Sequence, residues 1–285
     1  MTTPAITSSA TELSAQVARW RELGQTIAFV PTMGALHEGH KKLVTEAAAH
    51  ADRVVVSIYV NPLQFGQGED FEQYPRDLAS DAGFLEEAGV DVIFAPLEAD
   101  IYPEGKERAP AIDAGEIGAL FEGVERAGHF GGMLTVVKRL LDIVHPHVLV
   151  MGQKDAQQLF LVTQMVKREL LPVTLLPVET VRDRDGVALS SRNAYLSPPD
   201  RTRARVICRA LAAAAQARDL ESARAEARDT LGGQESVEID YLETVDPATF
   251  LPIEGAGYRG EARMIVAVTI GETRLIDNTR LTFGQ

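Results

Sequence analysis

The chain has 285 residues, 45% of them hydrophobic and 24% charged, enough apolar side chain for one large or two modest buried cores. Its 28 Lys and Arg against 41 Asp and Glu give a formal net charge of −13, which opposes general attraction to nucleic acid or an anionic membrane. No window offers the roughly 18 uninterrupted apolar residues of a membrane span, and the start lacks the basic and apolar pattern of an export signal, so the expectation is a cytoplasmic protein.

In chain order, the first strong element is the apolar run TIAFVP, followed at once by PTMGALHEGH (residues 31–40) and a stretch with Leu43, Val44 and Ala47 at helical spacing. Further apolar runs follow: RVVVSIYV, VDVIFAP, HVLVMG and VTLLPVE, five in all with the first. They are rich in Val, Ile and Leu on both alternating positions, as strands buried on both faces require. GFLEEAG, MLTVVKRLLDIV and AQQLFLVTQMVKREL lie among them as helices, so the pattern predicts a Rossmann-like doubly wound α/β fold with a parallel sheet. After about Thr180 the pattern changes. The loop VRDRDGVALSSRN leads to a helix start at Ser197-Pro198-Pro199-Asp200 and one long Ala/Arg-rich helix containing the single cysteine, Cys208, read as a buried packing thiol. The runs VEIDYLETV, ARMIVAVTI and the short TRLID complete the chain. The expected organisation is a nucleotide-binding domain over residues 1–181 and a smaller C-terminal α+β domain over 182–285, closing over an ATP site.

Three segments carry chemistry. PTMGALHEGH is a strand-loop-helix connection in which His37 and His40 project to one side, the helix start offers unpaired N–H groups to anionic oxygens, and Gly34 and Gly39 allow close approach. Two histidines at a helix start also serve simply as caps. MGQKDAQQL places Lys154 and Asp155 just beyond a strand, where the lysine suits phosphate and the aspartate suits a helix cap or a ribose hydroxyl. ALSSRN, with Ser190, Ser191 and Arg192, suits a loop that folds over a triphosphate, or a polar hinge. A zinc site is disfavoured, because no third ligand stands at a recognisable spacing. Asn61 and Gln64, near the end of RVVVSIYV, are neutral groups suited to hydroxyl and carboxylate recognition, or a turn around Pro62. Val136 and Val137 suit either a substrate's methyl groups or the core.

The H-x-G-H element after a first strand resembles the HxGH nucleotidyltransferase superfamily. The blocks FVPTMGALHEGH, SIYVNPLQFGQGEDFEQYPRDL, GHFGGMLTVVKRL, MGQKDAQQL, VRDRDGVALSSRNAYLSP, DYLETVDP and TRLIDN together resemble the pantothenate synthetase (pantoate:beta-alanine ligase) family. The departures are Lys41 and Lys42 in place of apolar or small residues, Gln153 in place of a common glutamate and Ala127 in place of a common proline. The resemblance implies that ATP with Mg²⁺ converts pantoate to pantoyl adenylate, that beta-alanine then displaces AMP, and that the enzyme is a homodimer. It implies an ATP site of Met33, Gly34, Ala35, Leu36, His37, Glu38, Gly39 and His40, with Gly152, Gln153, Lys154, Asp155, Val181, Leu189, Ser190, Ser191 and Arg192. His40 would be the proton donor and His37 its partner, with Lys154 and Arg192 also catalytic; Gln64 and Gln158, with Asn61 beside them, would hold pantoate. Two other readings remain at this point: a nucleotidyltransferase that stops at the nucleotidyl product, and an ATP-binding regulatory module without turnover.

Overall fold

The computed structural model describes residues 3–66, 68–255 and 257–284; Gln67, within the SIYVNPLQFGQGEDFEQYPRDL block, lies outside them. The chain divides into two compact units, residues 1–153 with 157–179, and residues 154–156 with 180–285. Among the described residues no helix is long and apolar enough to cross a membrane.

The first unit is a parallel sheet wrapped by helices. In chain order it runs β1 (Ala5–Thr7), α1 (Ala10–Glu22), β2 (Ile27–Thr32), α2 (Glu38–His50), β3 (Arg53–Ile58), α3 (Leu78–Ala88), β4 (Val92–Phe94), the single turns α4 (Glu98–Ile101) and α5 (Glu122–Glu125), α6 (His129–Val144), β5 (Val148–Gly152), α7 (Ala156–Arg168) and β6 (Thr174–Val178). The sheet order is β1-β4-β3-β2-β5-β6, every pair parallel. Five strands coincide with the five apolar runs; the sixth, β1, is three residues long with no apolar alternation to announce it. Successive residues of each central strand feed opposite faces. Phe29, Val55 and Leu149 pack with Leu13, Leu134 and Met165, whereas Ala28, Val54, Val56 and Val150 pack with Val44, Ala47 and Leu85. Val136 and Val137, nearly fully buried on α6, belong to the first of these cores. The strand order reverses between β2 and β5, the switch point at which such sheets bind ligands beyond their carboxyl ends. The PTMGALHEGH loop follows the first of these strands and Gly152–Gln153 closes the second.

The second unit contains α8 (Pro198–Arg203), α9 (Arg205–Gln216) and α10 (Leu220–Gly232), then an antiparallel sheet of β7 (Val237–Val245), β8 (Gly260–Ile270) and β9 (Thr273–Phe283). Ser197 caps α8 as expected, its hydroxyl accepting from the Asp200 amide at 3.3 Å, with Pro198 in the first turn. The single long helix does not form. Ala217 is extended and the Asp219 carboxylate accepts from the Ser222 amide at 2.8 Å, starting a new helix whose cap competes with continuation of the old one. The small residues Ala210, Ala214, Ala223 and Ala227 are fully buried between α9, α10 and the sheet. The run TRLID is part of an eleven-residue strand. Cys208 is half-buried, its thiol 3.1 Å from the Arg205 carbonyl.

Candidate functional site

The PTMGALHEGH loop is built by its own polar groups and by a carboxylate brought from α3. The Thr32 hydroxyl donates to the Ser57 carbonyl at 2.6 Å, and the Gly34 amide donates to that hydroxyl at 3.3 Å. Asp81, 5% exposed, accepts from the amides of Ala35 at 3.1 Å and Leu36 at 2.9 Å. A Cβ at Gly34, whose φ is +84°, would stand 2.7 Å from the Asp81 carboxylate, so the turn needs glycine there. Ala35 follows in the left-handed region at φ 51°. Burial pushes the Asp81 carboxyl up, against the two amide bonds that favour its charged form.

The two histidines both cap α2, and backbone amides define the tautomer of each. The His37 amide donates to His40 Nδ1 at 3.2 Å, and the Gly39 amide donates to His37 Nδ1 at 3.1 Å. A ring nitrogen that accepts carries no proton, so each neutral imidazole holds its hydrogen on Nε2. Their ring centroids are 4.2 Å apart. The capping alternative is therefore realised. Most N–H groups of this loop and helix start are engaged: the amides of Gly34, Ala35, Leu36, His37, Gly39 and His40 donate within the fold, and the Glu38 amide is not among them. Polar side chains satisfy them because a buried orphan amide would cost about 1–3 kcal/mol. Met33 is half-buried at the start of the loop and Glu38 exposed.

The other half of the first unit's site is the turn Asn61–Gln64. Asn61 is 0% exposed and its amide is fully engaged: Oδ1 accepts from the Tyr102 hydroxyl at 2.8 Å and the Leu63 amide at 3.3 Å, while Nδ2 donates to the Gly132 carbonyl at 3.1 Å and to Gln64 Oε1 at 3.2 Å. Burial pushes the Tyr102 hydroxyl up, keeping it a donor. With Oε1 thus occupied, Gln64 directs Nε2 at the Met33 sulfur, 3.0 Å away. A thioether is a weak acceptor, so this N–H is ready for a better one. Asp81, Tyr102 and His129 were missed in the sequence because their partners stand tens of residues away; only the glycines flanking His129 and Phe130 in GHFGG hint at a close approach. Gln157 is buried and anchors the 117–122 segment through the carbonyls of Ile117 at 2.7 Å and Leu120 at 2.8 Å, whereas Gln158 beside it is half-buried.

In the second unit, Val181 and Leu189 close a short hairpin, the Leu189 amide donating to the Val181 carbonyl at 2.9 Å. The Ser190 hydroxyl accepts from the Arg192 amide at 3.3 Å and so starts a short 3-10 helix, Ser191–Tyr195. Arg182 forks onto Asp277 at 2.5 and 2.9 Å, and Asn278 Nδ2 donates to the Lys154 carbonyl at 2.8 Å. Lys154 and Asp155 form a loose pair at 3.8 Å. Lys154, Ser190, Asn193 and Asp277 are among the residues lining a pocket within this unit. Strand β9 therefore holds both the lysine turn and the SSR hairpin, which were expected as sites but without a common support.

A family described as pantoate-beta-alanine ligase matches residues 5–280 of this chain. The chain belongs to the pantoate-beta-alanine ligase family. It is similar to the pantothenate synthetase of Thermobifida fusca, 46% identical over 98% of this chain and 96% of the relative, and to that of Leifsonia xyli subsp. xyli, 50% identical over 90% and 89%. A crystal structure of pantothenate synthetase from Thermus thermophilus matches with a TM-score of 0.89 at 44% identity, covering 96% of this chain and 98% of that one. A pantoate-beta-alanine ligase from Francisella tularensis, complexed with beta-gamma ATP and beta-alanine, matches with a TM-score of 0.80 at 35% identity over 97% of both chains. The departures from the pantoate-beta-alanine ligase pattern are local. Lys42 pairs with Glu46 on the surface of α2 at 2.6 Å, Lys41 lies 5.9 Å from the Phe84 ring centroid, and the Gln153 amide continues the sheet by donating to the Val178 carbonyl at 2.8 Å.

Proposed function

We propose that this protein joins pantoate to beta-alanine at the expense of ATP, releasing AMP and pyrophosphate, as a cytoplasmic homodimer. The observation that supports this best is the juxtaposition, in one unit, of two histidines fixed as Nε2–H donors and a Gln64 amide whose donor meets, among the described residues, a thioether. In the first step a pantoate carboxylate oxygen bonds to the α-phosphorus and the bond to the bridging β-phosphate oxygen breaks, so pyrophosphate leaves with that electron pair. Charge builds on the phosphate oxygens, where His37 and His40 supply neutral donors and Lys154 and Arg192 supply cations. Gly152, Gln153, Asp155, Val181, Leu189, Ser190 and Ser191 complete the proposed nucleotide site with the 33–40 loop. Gln64 and Gln158 hold pantoate. Asn61, buried and saturated, orients Gln64 and does not touch substrate. In the second step the amine nitrogen attacks the acyl carbon, the carbon–oxygen bond to AMP breaks, and the amine loses its proton.

Magnesium enters with ATP as the substrate complex, its ligands phosphate oxygens and water. Among the described residues no group of three or more His, Cys, Asp or Glu stands where it could hold a metal ion.

The test is an assay with MgATP, pantoate and beta-alanine, following pantothenate, AMP and pyrophosphate. Pantoate-dependent exchange of pyrophosphate into ATP without the amine is expected. Formation of a nucleotidyl product with no amine consumed would favour the nucleotidyltransferase alternative, and ATP binding with no turnover would favour the regulatory module. Light scattering in solution checks the dimer.

A further inference from the structure

The start of α6 grips the Asn61–Gln64 turn at three points, and its chemistry is set by one histidine. His129, 7% exposed, places Nδ1 2.7 Å from the Gln64 carbonyl oxygen and Nε2 3.1 Å from Arg126 Nη1. A carbonyl can only accept and a guanidinium can only donate, so the ring is neutral with its proton on Nδ1, the opposite tautomer to His37 and His40. Arg126 is held in turn by Glu69, Nε to Oε1 at 3.0 Å and Nη2 to Oε2 at 2.5 Å, and also reaches the Gln64 carbonyl at 3.3 Å. One turn further along α6, Gly132 accepts from Asn61 and lies so close that an added Cβ would stand 1.9 Å from the Leu63 carbonyl oxygen.

We infer that His129 is a positioning residue for pantoate recognition: its Nδ1–H holds the Gln64 backbone so that the Gln64 amide presents its N–H to the bound acid. This rests on the reading of Gln64 as a pantoate contact. The Gln64 side chain has Oε1 committed to Asn61, so its direction follows from where its backbone is held. His129 contacts that backbone and no reacting atom. The Glu69–Arg126 pair serves to keep the imidazole in the tautomer that can donate, because an arginine at Nε2 excludes a second proton there.

The experiment compares His129→Asn, His129→Gln, His129→Leu and Gln64→Ala in pantoate-dependent pyrophosphate–ATP exchange without beta-alanine, with thermal unfolding midpoints recorded alongside. Asparagine carries a donor where Nδ1 stood; glutamine and leucine do not. His129→Gln and His129→Leu should raise the KM for pantoate about tenfold, the loss of one well-placed hydrogen bond, with the KM for ATP unchanged. His129→Asn should restore the wild-type value. The asparagine and glutamine variants both keep a polar side chain, so the comparison stands even if the leucine variant fails to fold. A wild-type KM for pantoate in His129→Gln while Gln64→Ala raises it would overturn the positioning role and leave the functional reading intact. An equal rise in His129→Asn and His129→Gln would overturn it too, since the donor would then be immaterial. If Gln64→Ala leaves the KM for pantoate unchanged, the reading of Gln64 falls and the inference with it. Nitrogen-15 shifts of the His129 ring at neutral pH give a readout independent of activity: protonated Nδ1 is required, and a proton on Nε2 would sink the proposal.

Discussion

In His40 the two ring nitrogens have separate tasks. Nδ1 accepts the His37 amide and shapes the loop, and the Nε2–H is the group proposed to meet developing phosphate charge. His40→Ala should therefore lower pyrophosphate–ATP exchange by about 10²–10⁴-fold, the usual worth of a positioned proton donor. It should also cost about 1 kcal/mol of stability through the lost cap, a small shift in a thermal melt. Exchange within a few-fold of wild type would refute the role. His129 gives a pH signature instead. Burial, and then the facing Arg126 guanidinium, lower its pKa from 6.5 to about 4, opposed by the Gln64 carbonyl, Glu122 and Glu69. The unfolded chain takes up a proton near pH 6.5 that the folded chain refuses until about pH 4, so the unfolded state binds more protons in that window and stability rises with pH through it. The contribution is about 3 kcal/mol, full above the unfolded value and lost as pH falls toward the folded one. Denaturant titrations of wild type and His129→Asn across this range should show a steeper acid loss in wild type.

At the scale of elements, the site depends on helices that approach backbone to backbone. Gly132 on α6 meets the Leu63 carbonyl, and a methyl group there has no flexible neighbour to displace. Gly132→Ala should cost about 1–3 kcal/mol as α6 and the 61–64 turn are forced apart, and should raise the KM for pantoate together with the lower unfolding midpoint. The α3 carboxylate acts on the other half of the site. Asp81→Ala strands the amides of Ala35 and Leu36, at about 1–3 kcal/mol each, in the turn that carries both histidines. Exchange activity in that variant should fall by more than the melt alone explains. Activity that simply tracks the folded fraction would reduce Asp81 to a purely structural group.

For the whole molecule, each unit carries its own core, and the second unit's site residues depend on strand β9. Asp277 is 4% exposed and holds Arg182 through a forked pair, while the neighbouring Asn278 holds the Lys154 carbonyl. Asp277→Ala leaves the half-buried Arg182 guanidinium with the carbonyls of Gly186 and Asn278 but no carboxylate, a loss of about 3 kcal/mol, the lower end for a broken buried pair. Hydrogen exchange should show residues 180–193 and β9 losing protection while β2 and β3 keep theirs; uniform loss in both units would contradict this assignment.

How far the sequence alone reached follows from what each signal depends on. Five strands of the parallel sheet, the helices between them and the α8 cap were legible because hydrophobic periodicity and capping act over a few neighbouring residues. The short β1 strand and the break between α9 and α10 were not, since one forms by pairing with β4 and the other by a local cap that overrides good helix formers. The HxGH, KD and SSR segments were recognisable as motifs, but their internal bonding was not. Whether the amides of Ala35 and Leu36 would be open to phosphate depended on Asp81, more than forty residues away. Whether the Asn61 amide would be open or engaged depended on Tyr102 and Gly132. The residue types and their local spacing determined the family, the sheet and the chemistry available. Only the tertiary structure decided which polar groups that chemistry can use, because a buried donor or acceptor takes whatever partner the fold brings within reach, however distant in the chain.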